Sequence, residues 1–182
     1  MKGREEMKTR CIHIFPRFKN SFLMEEIRKK YDDLYGFIEP HITLVFPFES
    51  DIKIEDLKTE IHGILSNESQ FEVSAQGIEA VDNHGYYLFL NIAKGKERII
   101  KLHYKLHKGL LAEYQSPWTK DGSYIPHITI GRFENKDEMQ KAMKDIGEFD
   151  TEFISKVERI FIEIIGDNEE SVIEEIIEFG NK

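Results

Sequence analysis

Two short segments carry the same chemistry-bearing pattern. Glu39 to Phe48 reads EPHITLVFPF and Ile125 to Phe133 reads IPHITIGRF, so Pro-His-Ile-Thr is written twice, with His41 and His127 86 positions apart. Proline holds the residue before it extended, and the β-branched, apolar continuation favours a strand. On a strand, residues i and i+2 share a face. His41 and Thr43 therefore point one way, and Ile42 and Leu44 the other. His127 and Thr129 repeat this, with Ile128 and Ile130 turned away. Each copy offers an imidazole and a hydroxyl to one side and aliphatics to a core.

That set suits phosphate-ester chemistry. Cleaving a phosphodiester needs one proton taken from the attacking oxygen and another given to the leaving oxygen. Two histidines can divide these tasks, one neutral and one protonated, with a bell-shaped rate profile around neutral pH. Threonine hydroxyls can donate to the non-bridging oxygens, where transition-state charge builds. This chemistry calls for no metal and no cofactor. A zinc site is the competing reading, but it needs a third ligand. Glu39 is the nearby candidate, and the second copy has Ile125 in that place. A lone strand histidine is most often a satisfied structural residue; the repeat is what argues against that here.

The surrounding pattern alternates strands and helices. Thr9 to Phe15 reads as a strand. Ser21 to Tyr31 reads as a helix with Leu23, Met24, Ile27 and Tyr31 as its buried stripe and Ser21 as a possible N-cap. Asp51 to Leu65 is a second helix. Phe71 to Ala80 and Tyr86 to Ile92 flank the turn DNHG and read as a hairpin. Glu97 to Tyr114 is the longest helical segment, Lys136 to Ile146 another. Glu152 to Ile165 reads as one long extended segment, and Val172 to Phe179 as a last strand. Without a steady β-α-β rhythm, this order predicts an α+β protein rich in antiparallel pairing, and the repeat suggests two related halves.

The chain has 182 residues, 40% hydrophobic and 32% charged, with a formal net charge of −9. Its length suits one compact domain, here 9–182, after a short flexible extension at 1–8. The charged opening MKGREEMKTR lacks a signal-peptide core, and no apolar run is long enough for a membrane helix. The acidity argues against a broad duplex-DNA surface. The single cysteine, Cys11, precludes an intrachain disulfide and reads as a small buried hydrophobe. The expectation is a cytoplasmic monomer with no membrane partner.

At the repeated motif the sequence resembles the two-histidine (2H) phosphoesterase superfamily, whose members include 2′-5′ RNA ligase-like proteins and RNA 2′,3′-cyclic phosphodiesterases. The marks are HITL (His41 to Leu44) and HITI (His127 to Ile130). The resemblance implies a bilobal, pseudo-twofold α+β fold: two antiparallel sheets flank a central cleft, with helices outside. It implies His41 and His127 as the acid/base pair, Thr43 and Thr129 as phosphate anchors, and a nucleotide or RNA terminus as substrate. It leaves open which histidine is the base. The alternative is a binding module that keeps the cleft without turnover.

Other residues are weaker candidates for contacting substrate. Relatives often carry an arginine near the second motif. Arg132 is available, yet strict alternation aims it opposite His127 unless Gly131 permits a bulge or the strand ends there. Tyr124 reads first as a partly buried tyrosine, but it could stack on a base or ribose, as could Trp118 in its loop. Lys120, Arg17 and Lys19 could supply positive charge. His103 and His107 have helical metal-ligand spacing, but HYKLH lacks the glutamate of a zincin motif, so they read as structural or surface residues. His13 could face either side of the first strand.

Overall fold

The computed structural model describes residues 6–120 and 122–180. Residues 1–5 of the expected extension lie outside that set, and the first strand already begins at Lys8. The strands are β1 (Lys8–Ile14), β2 (Ile42–Ser50), β3 (Phe71–Val81), β4 (Tyr86–Ile92), β5 (His127–Phe133), β6 (Phe153–Val157), β7 (Arg159–Ile165) and β8 (Ser171–Glu178). The helices are α1 (Phe22–Tyr31), α2 (Ile54–Leu65), α3 (Lys96–Leu106) and α4 (Lys136–Ile146).

The strands form two four-stranded antiparallel sheets, in the orders β2-β1-β7-β8 and β5-β4-β3-β6. The fold is α+β with two lobes, but the lobes are not the two halves of the chain. Sheet one joins the first two strands to the last two, and sheet two is the middle of the sequence. The long extended segment expected from Glu152 to Ile165 breaks at Glu158, sending β6 to one sheet and β7 to the other. Periodicity alone cannot see this, because both strands alternate alike.

Each motif strand lies at an edge of its sheet: β2 in one, β5 in the other. The two edges approach, with Cα atoms of β2 and β5 within 8 Å. Helices are exchanged across the approach: α1, which leads into β2, packs on β5, and α3, which precedes β5, packs on β2. One hydrophobic cluster runs through both lobes and includes Ile42, Leu44, Ile128 and Ile130. Burial of these aliphatics fixes the register of each edge strand, since a slip of one residue would bury the histidines instead.

The helices depart from the sequence pattern in instructive ways. Ser21 is itself helical and makes no side-chain cap. The residues α1 buries are Met24 and Arg28, so a charge sits where periodicity pointed to an aliphatic stripe. The expected long third helix ends at Leu106. Gly109, at φ 71°, then opens a separate 3₁₀ turn over Gly109–Tyr114, a backbone setting that suits a residue without Cβ. Among the described residues no helix is long and apolar enough to cross a membrane.

Candidate active site

The two motifs are built alike to the level of single hydrogen bonds. His41 Nδ1 lies 2.9 Å from the Glu39 carbonyl, and His127 Nδ1 lies 2.9 Å from the Ile125 carbonyl. A carbonyl has no proton to give, so in each ring Nδ1 carries the hydrogen and donates it. Each neutral ring therefore presents a bare Nε2. Pro40 and Pro126 stand between ring and acceptor in both copies, holding the preceding residue extended so that its carbonyl points back at the ring. His41, Thr43, His127 and Thr129 are partly exposed, while Ile42 and Ile128 are fully buried. Among the described residues neither threonine hydroxyl has a hydrogen-bond partner.

Both motif strands also bulge at the same place. Thr43 pairs with His13 and Val45 with Ile12, leaving Leu44 as an extra residue; Thr129 pairs with Phe89 and Gly131 with Leu88, leaving Ile130 extra. A bulge of one residue reverses the alternation beyond it. Arg132 consequently pairs with Tyr87, on the same face as Phe89 and His127. Strict alternation aimed Arg132 away, and the bulge brings it back to the cleft side. Its guanidinium lies 5.8 Å from the Tyr87 ring centre. Gly131 serves packing as well, because a Cβ there would stand 2.9 Å from the Phe133 ring.

Arg132 is tied across the lobes. Its Nε lies 3.2 Å from Asp32, the buried residue that closes α1, and 3.5 Å from Asp33. Asp32 also takes Arg28 Nε at 2.8 Å, and Arg28 donates onward to the Ile38 carbonyl at 2.9 Å. This buried network fixes α1, the entry to the first motif and Arg132 relative to one another. No periodic signal in the chain marks Asp32 or Arg28, since a charge on an amphipathic helix normally faces water.

Burial sets the electrostatics of the histidines. It pushes His127 down to about 4, helped by the positive charge of Arg132 and opposed by the bond to the Ile125 carbonyl. It pushes His41 well below the usual histidine range, helped by His13, Arg28 and Arg132 and opposed by the Glu39 carbonyl. Arg132 thus acts on both rings. Both rings are neutral at pH 7, with Nε2 free to accept. An anion between them would favour the charged form of either.

The remaining candidates fall in different places. Tyr124 is 3% exposed, its hydroxyl donates to the Thr43 carbonyl at 2.7 Å, and its ring stacks on His103 at 3.9 Å. Its ring is therefore enclosed within the protein rather than open to a base. His103 donates from Nδ1 to the Leu44 carbonyl at 2.7 Å, so Tyr124 and His103 together satisfy the backbone at the first bulge. Burial holds His103 at about 4. Trp118 is exposed and meets Phe46 edge-on at 6.4 Å. Lys120 and Lys19 are exposed. Arg17 is exposed, pairs with Glu39 at 3.4 Å and lines a cavity of about 420 Å³ with Phe15, Tyr35, Phe37 and Phe161. Neither motif histidine lines that cavity, but Phe15, 6.0 Å from the His41 ring, and Glu39 border both. Among the described residues no group of three or more His, Cys, Asp or Glu side chains is placed to hold a metal ion.

The comparisons with known proteins agree with this architecture. The 2′-5′ RNA ligase superfamily model matches residues 15–168. A protein named as a candidate phosphoesterase in Geobacillus sp. (strain WCH70) is 30% identical over 122 residues, covering 66% of this chain and 67% of its own. One of the same description in Bacillus cereus (strain B4264) matches to the same extent. Among solved structures, TT0787 of Thermus thermophilus superposes with a TM-score of 0.66 at 16% identity, over 96% of this chain and all of that one. E. coli LigT, solved in complex with NADP+, gives 0.58 at 11% identity over 97% of this chain and all of that one. At these identities the structural likeness speaks for the fold.

Proposed function

The chain belongs to the 2′-5′ RNA ligase superfamily of two-histidine phosphoesterases, and from that premise we propose that its cleft hydrolyses cyclic or 2′-linked phosphodiesters at RNA ends or on small nucleotides, by acid/base catalysis between His41 and His127. The observation that carries the reading is the doubled tether: each histidine gives its Nδ1 hydrogen to the carbonyl two residues back and keeps Nε2 for the ligand.

In this reading the phosphate sits between the two edge strands. Thr43 and Thr129 donate their hydroxyls to its non-bridging oxygens, and Arg132 complements its charge. One imidazole takes a proton from the attacking water at Nε2. The other, protonated when the anion binds, gives its Nε2 proton to the departing ribose oxygen. A cyclic phosphodiester and one water become a phosphomonoester with a free hydroxyl. One proton is taken and one given, so exchange with solvent resets the pair. The NADP+ complex of the E. coli neighbour supports a nucleotide-sized ligand for this fold.

The test is hydrolysis of a 2′,3′-cyclic nucleotide in EDTA by the wild type, His41→Ala and His127→Ala. Loss in both variants is expected, and full activity in both would overturn the assignment. A binding module without turnover is the second reading. It is favoured by the pairing of Arg132 with Asp32 and Asp33, which offsets positive charge at the site. Nucleotide binding by the wild type with no hydrolysis across a phosphodiester panel would select it.

A further inference from the structure

A phosphate held between the two histidines brings an organic group with it, and sheet one has a place for that group. Directly opposed residues on neighbouring strands share a face. Thr43 pairs with His13 and His13 with Phe161, so Phe161 lies on the face that carries the first motif, two strands in from its edge. On sheet two the matching row runs from Thr129 through Phe89 to Glu79, an exposed carboxylate. The aromatic ring at this place belongs to sheet one alone.

Phe161 lines the cavity of about 420 Å³ together with Phe15, Tyr35 and Phe37. That volume is in the range of small-molecule pockets and has room for one nucleoside. None of the four rings belongs to the hydrophobic cluster that joins the lobes. Tyr35 and Phe37 are 40% and 46% exposed, on the segment between α1 and the first motif. That segment is pinned on both sides. The Ser171 N–H donates to the Phe37 carbonyl at 3.1 Å, and Arg28 donates to the Ile38 carbonyl at 2.9 Å. Rings left out of the core, and held over a pocket by a fixed backbone, are stacking surfaces for a planar ligand. Two residues join the pocket to the motif. Phe15 lies 6.0 Å from the His41 ring, and Glu39 holds that ring by its carbonyl while its side chain lines the cavity.

The charged side chains of the cavity are Arg17, Glu25 and Glu39. Two carboxylates against one guanidinium suit hydrogen-bond donors better than a second phosphate. Arg17 and Glu39 pair at 3.4 Å with most of both side chains exposed, a contact weak enough to open for a ligand. Glu25 meets Arg28 at 3.2 Å. Burial pushes its carboxyl up and Arg28 opposes this, so a further N–H donor to its oxygens is favourable. We infer that this cavity is the nucleoside subsite of the cleft and selects a base with an exocyclic amino group, such as cytosine or adenine, stacked among the four rings with that amino group turned to the Glu25 and Glu39 carboxylates. Uracil has a carbonyl where cytosine has the amino group, so it would set an acceptor against a carboxylate. The inference rests on the proposed seat of the phosphate between the histidines, but it does not depend on turnover.

Calorimetric titration of the wild type with cytidine and uridine 3′-monophosphates, and with inorganic phosphate as the probe that lacks a base, tests it apart from catalysis. The cytidine nucleotide should bind about tenfold tighter than the uridine one, the difference of one hydrogen bond to a charged group. Tyr35→Ala and Phe37→Ala each remove a half-exposed ring from a pinned segment, so the fold is kept. Each should weaken the cytidine nucleotide about tenfold and leave inorganic phosphate nearly unmoved. Glu25→Gln combined with Glu39→Gln should remove the preference for cytidine. Equal affinity of the wild type for the two nucleotides, or Tyr35→Ala and Phe37→Ala variants that bind as the wild type does, overturns the inference. If the nucleotides bind as expected and no cyclic nucleotide is hydrolysed, the proposed activity fails and the subsite stands. If hydrolysis runs at rates blind to the base and to Tyr35 and Phe37, the activity stands and the subsite fails.

Discussion

Sheet one and sheet two present the same Pro-His-Ile-Thr, the same Nδ1 tether and the same one-residue bulge, yet they differ in the residues that surround the motif. His13 stands where Phe89 does, Val45 where Gly131 does, and Phe46 where Arg132 does. The shared parts are those a phosphate with two equivalent non-bridging oxygens would require twice. The unshared parts make the two sides unequal, as a reaction with one attacking and one leaving oxygen requires. A pseudo-twofold frame thus holds a candidate site with two unequal sides.

The comparison can be broken at its strongest point first. Removing either imidazole, by His41→Ala or His127→Ala, should lower kcat on a 2′,3′-cyclic nucleotide by about 10²- to 10⁴-fold, with KM changing far less. A variant that keeps its rate would show that one lobe acts alone. Thr43→Val and Thr129→Val should each cost about 10²-fold in kcat, since each removes one donor to the developing charge. Unequal losses would say which oxygen carries more of it.

Arg132→Met probes the side that lacks a counterpart in sheet one. We expect a rise in KM of about tenfold with a smaller change in kcat, because a charge on a bound phosphate is met alike in ground and transition states. The variant also leaves Asp32 with Arg28 and the Leu34 N–H as its partners, so thermal stability should drop modestly.

The pH response offers the finest comparison. His41, His127 and His103 all titrate below the ordinary histidine range in the folded chain, the last two at about 4. Below about pH 6.5 the unfolded chain therefore binds protons that the folded one refuses, so these three histidines make stability fall as pH drops from about 6.5 towards 4 and add no pH dependence above neutrality. Thermal unfolding across this range measures it, and phosphate should soften the loss by favouring the protonated site histidines. The same shifts place the kcat/KM profile on the acid side of neutral, while kcat, measured with the anion bound, should peak at higher pH.

Much of the site was legible because its signals are local. A duplicated tetrapeptide, a period of two and a proline each act within a few residues, and they suffice to put His41 with Thr43 and His127 with Thr129 on polar faces. Arg132 was legible only as a condition: the bulge that re-aims it exists because the ladder to β4 skips a residue, and nothing in IPHITIGRF alone compels that. Tyr124 was ambiguous, since an aromatic at a loop–strand junction looks the same whether it stacks on a ligand or, as here, serves the Thr43 carbonyl of a strand 81 residues away.

From sequence alone, the chain determined an α+β pattern, two strands with one polar and one apolar face, and the kind of chemistry two imidazoles and two hydroxyls can share. These follow from covalent spacing and strand geometry. Tertiary structure decided that β6 and β7 part company at Glu158, that the two edge strands meet, that Asp32 anchors Arg132, and that His13 rather than an aromatic ring stands beside His41. Those depend on which distant strands pair and in what register. Burial of the whole core fixes that choice, and no short stretch of residues records it.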